Sequence, residues 1–332
     1  MNAEQHITEN FRGFSSAMYS TWLFNRTIRS LFDAGEGISA NMRNYVFGIE
    51  NVFLTHGHHD HLGGLPGLAL ARGAARGDKE KPFSVFHPKG WGKIDALKTY
   101  IRSASREMDY ELSWVPVEPG QEIPVGDSGK KFVRPFLVEH TKGAPCLGYA
   151  LIEKRNRLPA SLNGKSGIEI AAIVNAEGRA AVREEYDKIV MAYSGDCTPV
   201  KTQDVLGAEI LFHEATFVVE DDMDQSGGHS TIAEAIRTAQ AAQVGILVLY
   251  HVSTRYPAEL AIAEANRVIE LVGFENPVLL MAFNRFIDVR CHAELSIAEA
   301  NRVIELIGSK NPLLLKAFNK FIDVRNPEPP RY

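Results

Sequence analysis

Short hydrophobic runs alternate with helical segments along most of the chain. Five runs rich in β-branched and aromatic residues predict strands at 52–56, 131–140, 188–196, 208–217 and 246–251. The segment 65–76 has helical composition, and Ser230 and Thr231 open a predicted helix over 230–243, where an N-cap needs such residues. Alternating strands and helices predict an α/β protein with helices outside layered sheets.

Most of these predicted strands end in a residue that can bind a metal or a proton. His56, His140, Asp196 and His251 each stand at or just beyond the carboxyl end of a predicted strand. Side chains that are far apart in sequence can meet at one edge of layered sheets. We therefore expect these residues to converge on a single site.

The C-terminal part contains an internal repeat, because residues 258–290 recur at 293–325 with an offset of 35 and seven differing positions. Each copy predicts a helix, an Asn-Pro turn and an extended apolar run, and two copies are too few for a solenoid. The second copy has Ser309, Lys310 and Lys316 where the first has Phe274, Glu275 and Met281. These changes favour an exposed add-on, so we predict a main domain over 1–290 and a duplicated appendage over 291–332.

Composition places the chain among folded, water-soluble proteins. It has 332 residues, 45% of them hydrophobic and 23% charged. No apolar run reaches the ~18 residues of a membrane span, and the start MNAEQHITEN lacks the features of a signal peptide. We expect a cytoplasmic protein without a membrane partner, with Cys146, Cys197 and Cys291 as reduced thiols.

The formal net charge of −5 argues against a protein coated in positive charge. Two segments rich in lysine and arginine, 79–106 and 154–165, could still supply a local basic patch. The alternative is that each is an ordinary solvated face.

The stretch THGHHDHLGG, residues 55–64, predicts a metal site, because four histidines and an aspartate lie within six residues. His56 and His58 can reach one ion, while Asp60 and His61 can reach a second. An open zinc site needs about three protein ligands, so two sites need more residues than this loop contains. His140, Asp196 and His251 are the remaining candidates, and the carboxylate of Asp196 could bridge two ions.

Two further residues near this stretch have predicted roles. His59 lies between ligand positions, and we expect it not to bind metal. Asp33, in LFDAGEG, is a candidate to orient a metal-bound histidine through a hydrogen bond. The alternative for Asp33 is a turn-forming aspartate before glycine.

The HxHxDH pattern, followed by single His, Asp and His residues, resembles the metallo-β-lactamase superfamily. Within it the chain resembles the ribonuclease Z family of tRNA 3′-processing endonucleases. The stretches that carry this resemblance are LFDAGEG, HLGGLPGL, SGD, HEATF, GHST and HVSTRY, in family order. The likeness covers about residues 15–290 and departs from the family at the N-terminal segment and in the compact segment 154–187.

The resemblance implies an αβ/βα four-layer sandwich over residues 1–290, the expected catalytic domain, and a homodimer. It implies one Zn2+ on His56, His58 and His140, and a second on Asp60, His61 and His251, with Asp196 bridging the two. Mn2+ or Fe2+ could replace zinc. By the same resemblance His229 is the proton donor, and Glu214 is the residue that orients it.

Two metals in such a site activate water and clamp a phosphate. We expect a zinc-bound hydroxide to attack phosphorus, Asp60 to accept a proton from the water, and Arg255 to contact a phosphate oxygen. The leading hypothesis is cleavage of precursor tRNA at the 3′ end of the acceptor stem. The second is hydrolysis of a small phosphodiester such as a cyclic nucleotide, and the third is a non-catalytic binding module.

Overall fold

The computed structural model describes residues 2–74, 82–104, 110–219, 223 and 228–290. In this part of the chain the strands form two sheets, one of six strands and one of eight. The first sheet contains, in spatial order, β1 (Phe11–Ser16), β2 (Ser20–Asn25), β3 (Ser30–Phe32), β4 (Asn51–Phe53), β5 (Phe83–Pro88) and β6 (Leu112–Val117). The second sheet contains β7 (Ile123–Pro124), β8 (Lys131–Leu137), β9 (Leu147–Arg157), β10 (Glu184–Tyr193), β11 (Ile210–Glu214), β12 (Ile246–Tyr250), β13 (Val278–Ala282) and β14 (Arg285–Asp288).

Eight α-helices lie in the described segments. They are α1 (Ala3–Asn10), α2 (Ile38–Met42), α3 (His59–Leu62), α4 (Leu65–Ala74), α5 (Ile94–Ala104), α6 (Gly167–Glu177), α7 (Ile232–Ala241) and α8 (Ala258–Val272). The predicted start of α7 is confirmed, because Thr231 caps it and forms a reciprocal capping box with Glu234. None of these helices combines the length and apolarity needed to cross a membrane.

Three apolar cores separate four layers of secondary structure. One core lies between the sheets and contains Phe32 and Phe53 from the first sheet and Tyr149 and Phe212 from the second. The other two cores lie outside, where α2, α4 and α5 cover the first sheet and α7 and α8 cover the second. The predicted αβ/βα sandwich is therefore confirmed for the described residues.

Parallel strand pairing explains why the predicted site residues meet. Strands β3 to β6 are parallel in the first sheet, and β10 to β13 are parallel in the second. The carboxyl ends of parallel strands lie at one edge of a sheet. The strands predicted at 52–56 and 188–196 end earlier than predicted, because β4 ends at Phe53 and β10 at Tyr193. The ligand-type residues therefore stand in the loops that follow.

The first copy of the repeat forms α8, β13 and β14. The predicted helix and Asn-Pro turn are present, but the single extended run is wrong, because the chain reverses at Phe283 into two antiparallel strands. Phe283 has a left-handed backbone, with φ of 52°. Its N–H and C=O both bond to the backbone of Ser15 at 2.9 Å, which joins β1 to this turn. The second copy, with Ser309, Lys310 and Lys316, lies outside the described residues, as does Cys291.

The charged segment at 154–165 is largely neutralised. Lys154 pairs with Glu122 at 3.8 Å. Arg155 pairs with Glu209 at 2.6 Å and Arg157 with Glu184 at 2.9 Å. Only Lys165, of the four cations in this segment, forms no salt bridge with a carboxylate among the described residues. The segment is therefore an ion-paired face rather than a free basic patch. Part of the other segment, 79–106, lies outside the described residues.

The two cysteines in the described part, Cys146 and Cys197, are buried and form no disulfide bond. Burial raises the pKa of both thiols, which keeps them protonated and unreactive. Both are therefore in the reduced state expected from the sequence.

We propose that the catalytic domain ends near Arg290, because the first copy already closes the sandwich. Met281 is 1% exposed and Phe274 is 5% exposed. The sulfur of Met281 lies so close to Gly13 that a Cβ added there would be 2.5 Å from it. The second copy has lysine and serine at the equivalent positions and would fit this place poorly.

A chain ending at Arg290 should therefore keep the thermal stability of the full protein, as measured by differential scanning calorimetry. Met281→Lys in the shortened chain should lower stability by several kcal/mol, because it buries an ammonium group without a partner. Met281→Leu is the matched control and should cost under about 1.5 kcal/mol. Insoluble or non-cooperative shortened protein would show instead that the appendage is integral to the fold.

Candidate metal centre

The HGHHDH stretch follows β4 and turns directly into α3. His56, Asp60 and His61 are buried, whereas His58 is exposed at the mouth of the site. Two glycines allow this stretch to pack against the loop after β3. A Cβ on Gly64 would lie 2.1 Å from the carbonyl oxygen of Gly35, and a Cβ on Gly35 would lie 2.3 Å from that of Asp60. Close backbone approach therefore sets the position of the histidine-rich loop.

The structure brings all seven predicted metal ligands together in two groups. One group is His56, His58, His140 and Asp196, and the other is Asp60, His61, Asp196 and His251. Within each group the candidate ligand atoms lie within 4.8 Å of one another. Asp196 belongs to both. Its Oδ2 is 3.2 Å from His61 Nε2 and 3.8 Å from His56 Nε2, which places this carboxylate between the two groups.

Four of the histidine rings form a hydrogen bond through Nδ1, on the side of the ring that faces away from the centre. The partners are Thr55 Oγ1 for His56 at 2.9 Å, Asp33 Oδ2 for His61 at 2.8 Å, the Gly228 carbonyl for His140 at 2.7 Å and Thr216 Oγ1 for His251 at 2.9 Å. In each ring this bond leaves Nε2 facing the centre. Outer hydrogen bonds of this kind fix the tautomer and orientation of histidines that bind metal.

The inward-facing atoms have the spacing that a metal requires, and two of them have lone pairs that accept no hydrogen bond. The Nε2 atoms of His61 and His251 are 3.3 Å apart. Two imidazoles on one tetrahedral zinc, each at about 2.0–2.1 Å, are separated by about 3.4 Å. His56 Nε2 and Asp196 Oδ1 are buried without a hydrogen-bond partner among the described residues. The residues present therefore fit a metal centre.

Burial lowers the pKa of His56, His58 and His140. These rings are therefore neutral at physiological pH, which is the form that binds metal. Burial raises the pKa of Asp60, but the hydrogen bond from His251 and the charges of His61 and His251 outweigh burial and lower the pKa to about 2. Asp60 is ionised, and it also accepts a hydrogen bond from the Met18 N–H at 3.1 Å.

Asp33 lies directly behind the centre, and the expected contact with a site histidine is present. Its Oδ2 accepts from His61 and, at 3.1 Å, from the hydroxyl of Tyr193. Its Oδ1 accepts from the Thr55 N–H at 2.8 Å. The carboxylate is completely buried. These bonds connect the ends of β3, β4 and β10, so Asp33 positions the loops that carry the candidate ligands.

Glu214 and His229 form a separate pair beside the centre. His229 Nδ1 lies 2.9 Å from Glu214 Oε1. Burial would lower the pKa of His229, but the hydrogen bond and charge of Glu214 raise it to about 9. His229 is therefore protonated at neutral pH. Its ring lies 4.7 Å from that of His140, centroid to centroid, and its Nε2 has no partner in the described part of the chain.

Glu214 is too heavily hydrogen-bonded to act as a metal ligand. Besides His229, its Oε1 accepts from the N–H groups of Cys197 and Ser230, both at 3.1 Å. Its Oε2 accepts from the N–H and hydroxyl of Thr216 at 2.8 and 2.9 Å. The carboxylate therefore holds three loops together and positions His229.

The remaining predicted residues lie at the rim. The side chain of His59 is 74% exposed and points toward Glu36, away from the centre. Arg255 is exposed, lies against the rings of Phe217 and Tyr256, and donates from Nε to Ser253 Oγ at 3.1 Å. No carboxylate pairs with it in the residues the structure describes, so its guanidinium is available to an anion.

Several residues that organise the centre were not identified from the sequence. Thr55 and Thr216 form hydrogen bonds to histidine rings. Thr55 directly precedes His56, and Thr216 lies within HEATF, so their positions in these motifs could have indicated this role. Ser15 accepts a hydrogen bond from the His251 N–H at 2.7 Å, and Gly228 holds His140. Both contacts join distant segments. Gly228 opens the GHST motif, whereas the contact of Ser15 has no local signal.

Comparisons with known proteins agree with this geometry. Residues 29–252 match the beta-lactamase superfamily domain. A ribonuclease Z from Natronomonas pharaonis is 32% identical over 253 residues, which span 70% of this chain and 80% of that protein. A ribonuclease BN from Citrobacter koseri is 29% identical over 249 residues, or 68% of this chain and 79% of that protein.

Two solved structures share the fold. The short form of human tRNase Z aligns with a TM-score of 0.54 and 22% identity over 74% of this chain and 93% of that chain. The metallo-β-lactamase fold protein YhfI from Bacillus subtilis aligns with a TM-score of 0.55 and 16% identity over 82% of this chain and 98% of that chain.

The matched domain and the paired ligand groups define the class: this is a metal-dependent hydrolase of the metallo-β-lactamase superfamily. The relatives refine that assignment. Within the superfamily, the chain belongs to the ribonuclease Z family.

Metal content provides a direct test of the site. We expect purified protein to bind about two transition-metal ions per chain, as measured by elemental analysis after gel filtration. His56→Ala should lose metal, because it removes an inward-facing nitrogen. His59→Ala is the matched control from the same loop and should retain the wild-type content. Equal metal content in the two variants would contradict the ligand assignment.

Proposed function

We propose that this protein is a two-zinc phosphodiesterase that cleaves precursor tRNA at the 3′ end of the acceptor stem. The tRNA is left with a 3′-hydroxyl. The proposal also includes the homodimer and the cytoplasmic location that the family resemblance implies. The observation that carries it is the His229–Glu214 pair beside two adjoining ligand groups. The relatives named ribonuclease Z support this substrate over others.

In this proposal His56, His58 and His140 would hold one ion, Asp60, His61 and His251 would hold the other, and Asp196, which belongs to both ligand groups, would serve both. When bound, two such ions activate water and neutralise the phosphate charge. Asp60, ionised and at the centre of the second group, accepts a proton from the attacking water. Arg255 at the rim contacts a phosphate oxygen, for which its planar guanidinium is suited.

The leaving oxygen in this reaction belongs to a ribose, and an alkoxide leaves poorly without a proton. His229 is the only imidazole among the described residues that combines a pKa raised to about 9 with a position at the rim of the centre. Its Nδ1 is held by Glu214, so the proton on Nε2 can be given to the leaving oxygen. The pair therefore supplies the acid that cleavage of an RNA phosphodiester needs.

One observation favours the second candidate, a small phosphodiester such as a cyclic nucleotide. Within the compact segment 154–187, three of the four cations at 154–165 are paired with carboxylates. A small substrate would not require a basic surface far from the metals. Both candidate substrates would be cleaved at the same centre, and they differ only in the groups attached to the phosphate.

His229→Ala should lower turnover of an RNA substrate by roughly 10²–10⁴-fold, the usual worth of a general acid. Metal content should stay at the wild-type level. The loss should be much smaller for a diester with a nitrophenolate leaving group, which departs without protonation. Equal losses on both substrates would remove His229 from the role of proton donor.

Substrate choice can be tested by offering purified protein a precursor tRNA with a 3′ trailer, cyclic nucleotides, and the same trailer without an acceptor stem. Products would be mapped by gel electrophoresis and end analysis. We expect a single cut after the acceptor stem and little cleavage of the isolated trailer. Rapid turnover of a cyclic nucleotide with no cut in the precursor would establish the second candidate instead.

A further inference from the structure

The loop after β5 lies directly beside the HGHHDH loop. Strand β5 pairs in parallel with β4, and the Leu54 N–H donates to the carbonyl of Phe86 at 2.9 Å. The two strands therefore deliver the segments that follow them to the same edge of the sheet. The loop after β5 contains Trp91 and turns into α5 at Ile94. Neither ligand group of the metal centre includes a residue of this loop.

The indole of Trp91 lies against Gly57, between the ligand positions His56 and His58. A Cβ added to Gly57 would be 2.5 Å from Trp91 Nε1, 2.8 Å from Cε2 and 2.9 Å from Cζ2. The φ of Gly57 is not positive. The space that the indole occupies, and not the backbone conformation, therefore requires glycine here. The contacting atoms lie along one edge of the indole, so this contact leaves the faces of the ring free.

The Trp91 ring is anchored on its inner side and partly exposed on its outer side. It packs against the apolar core that covers the first sheet. The buried ring of His87 lies 6.4 Å away, centroid to centroid, at an interplanar angle of 64°. The remaining part of the indole is open to solvent at the rim of the centre. A fixed aromatic ring of this kind is a surface on which a planar group can stack.

An unpaired nucleobase is the planar group that the proposed reaction would bring to this rim. A base inside a duplex has both faces covered, whereas a single strand offers its bases to aromatic side chains. The 3′ trailer of the proposed substrate lies beyond the acceptor stem and is single-stranded. Lys93 follows Trp91 closely in the chain, is exposed, and forms no salt bridge with the described residues. Sites for single strands combine such cations with aromatic rings.

We propose that Trp91 stacks on the base of the first trailer nucleotide, an inference that rests on the proposed function. His229 receives the ribose of the acceptor stem, because it protonates the leaving oxygen. The trailer nucleotide is joined to the same phosphorus through its own 5′ oxygen and must occupy another part of the rim. Through Gly57, Trp91 borders the ligand group that contains His56 and His58. Trp91 therefore binds and orients the trailer and transfers no proton.

The dependence on one base tests this contact kinetically. Precursor tRNAs would carry either a normal or an abasic first trailer nucleotide. With wild-type protein the abasic change should lower kcat/KM by about 5- to 100-fold, the usual worth of one base stacked on an aromatic ring. Trp91→Leu should show that loss on the normal precursor and no further loss on the abasic one, whereas Trp91→Tyr should keep most of the dependence.

Trp114→Leu is the matched control, because Trp114 is partly exposed on β6 and lies within the strand, opposite Val85. This variant should respond to the abasic change as wild-type protein does. Metal content should stay at the wild-type level in all variants. A wild type that is indifferent to the missing base, or a Trp91→Leu variant that still distinguishes the two precursors, would overturn the proposal. So would a Trp91→Leu variant that loses only metal and retains the dependence on the base.

Binding can be measured without cleavage, with a short single-stranded RNA of the trailer sequence added to metal-loaded protein. Stacking should quench tryptophan fluorescence in the wild type and in Trp114→Leu, and the quenching should disappear in Trp91→Leu. RNA that binds without quenching, or quenching that survives Trp91→Leu, would contradict the contact. This measurement separates the two proposals: a protein that cuts no precursor refutes the proposed function, while the quenching still decides the role of Trp91.

Discussion

Asp33 joins the two sheets at the edge where the metal centre forms, because its buried carboxylate accepts hydrogen bonds from Thr55, His61 and Tyr193. A buried carboxylate without such partners would cost several kcal/mol. Thr55 and His61 belong to the loop and helix after β4, and Tyr193 belongs to β10, so satisfying this one carboxylate fixes segments of both sheets at once. The position of His61, and through Thr55 that of His56, follows from that arrangement. The ligand groups therefore depend on a residue that is not itself in either group.

Much of this site could be predicted from local patterns. The HxHxDH spacing, the alternation of strands and helices, and the placement of Asp196 and His251 after strands are all properties of short segments. Parallel strand pairing then brings their carboxyl ends together without further information. The approximate position of the site thus follows from the order and type of the elements.

The details that were missed depend on contacts between distant segments. The apolar run around Phe283 predicts one strand, because its sequence does not reveal a reversal that depends on hydrogen bonds to Ser15. The supports from Ser15 and Gly228 to His251 and His140 likewise cross the fold. Pairing of Lys154, Arg155 and Arg157 with acids could not be distinguished from a free basic patch, since the partners Glu122, Glu209 and Glu184 are neighbours only in three dimensions.

The backbone pairing between Ser15 and Phe283 joins the first strand of the catalytic unit to its last hairpin, and Ser15 also supports His251. Because the chain is synthesised from its N-terminus, the pairing between Ser15 and Phe283 can form only late in synthesis. A growing chain on the ribosome carries the HGHHDH loop long before His251 and the hairpin that secures Ser15 have been made. The centre is therefore completed only when nearly the whole unit has emerged, so an unfinished chain lacks a complete site while it is surrounded by cellular RNA.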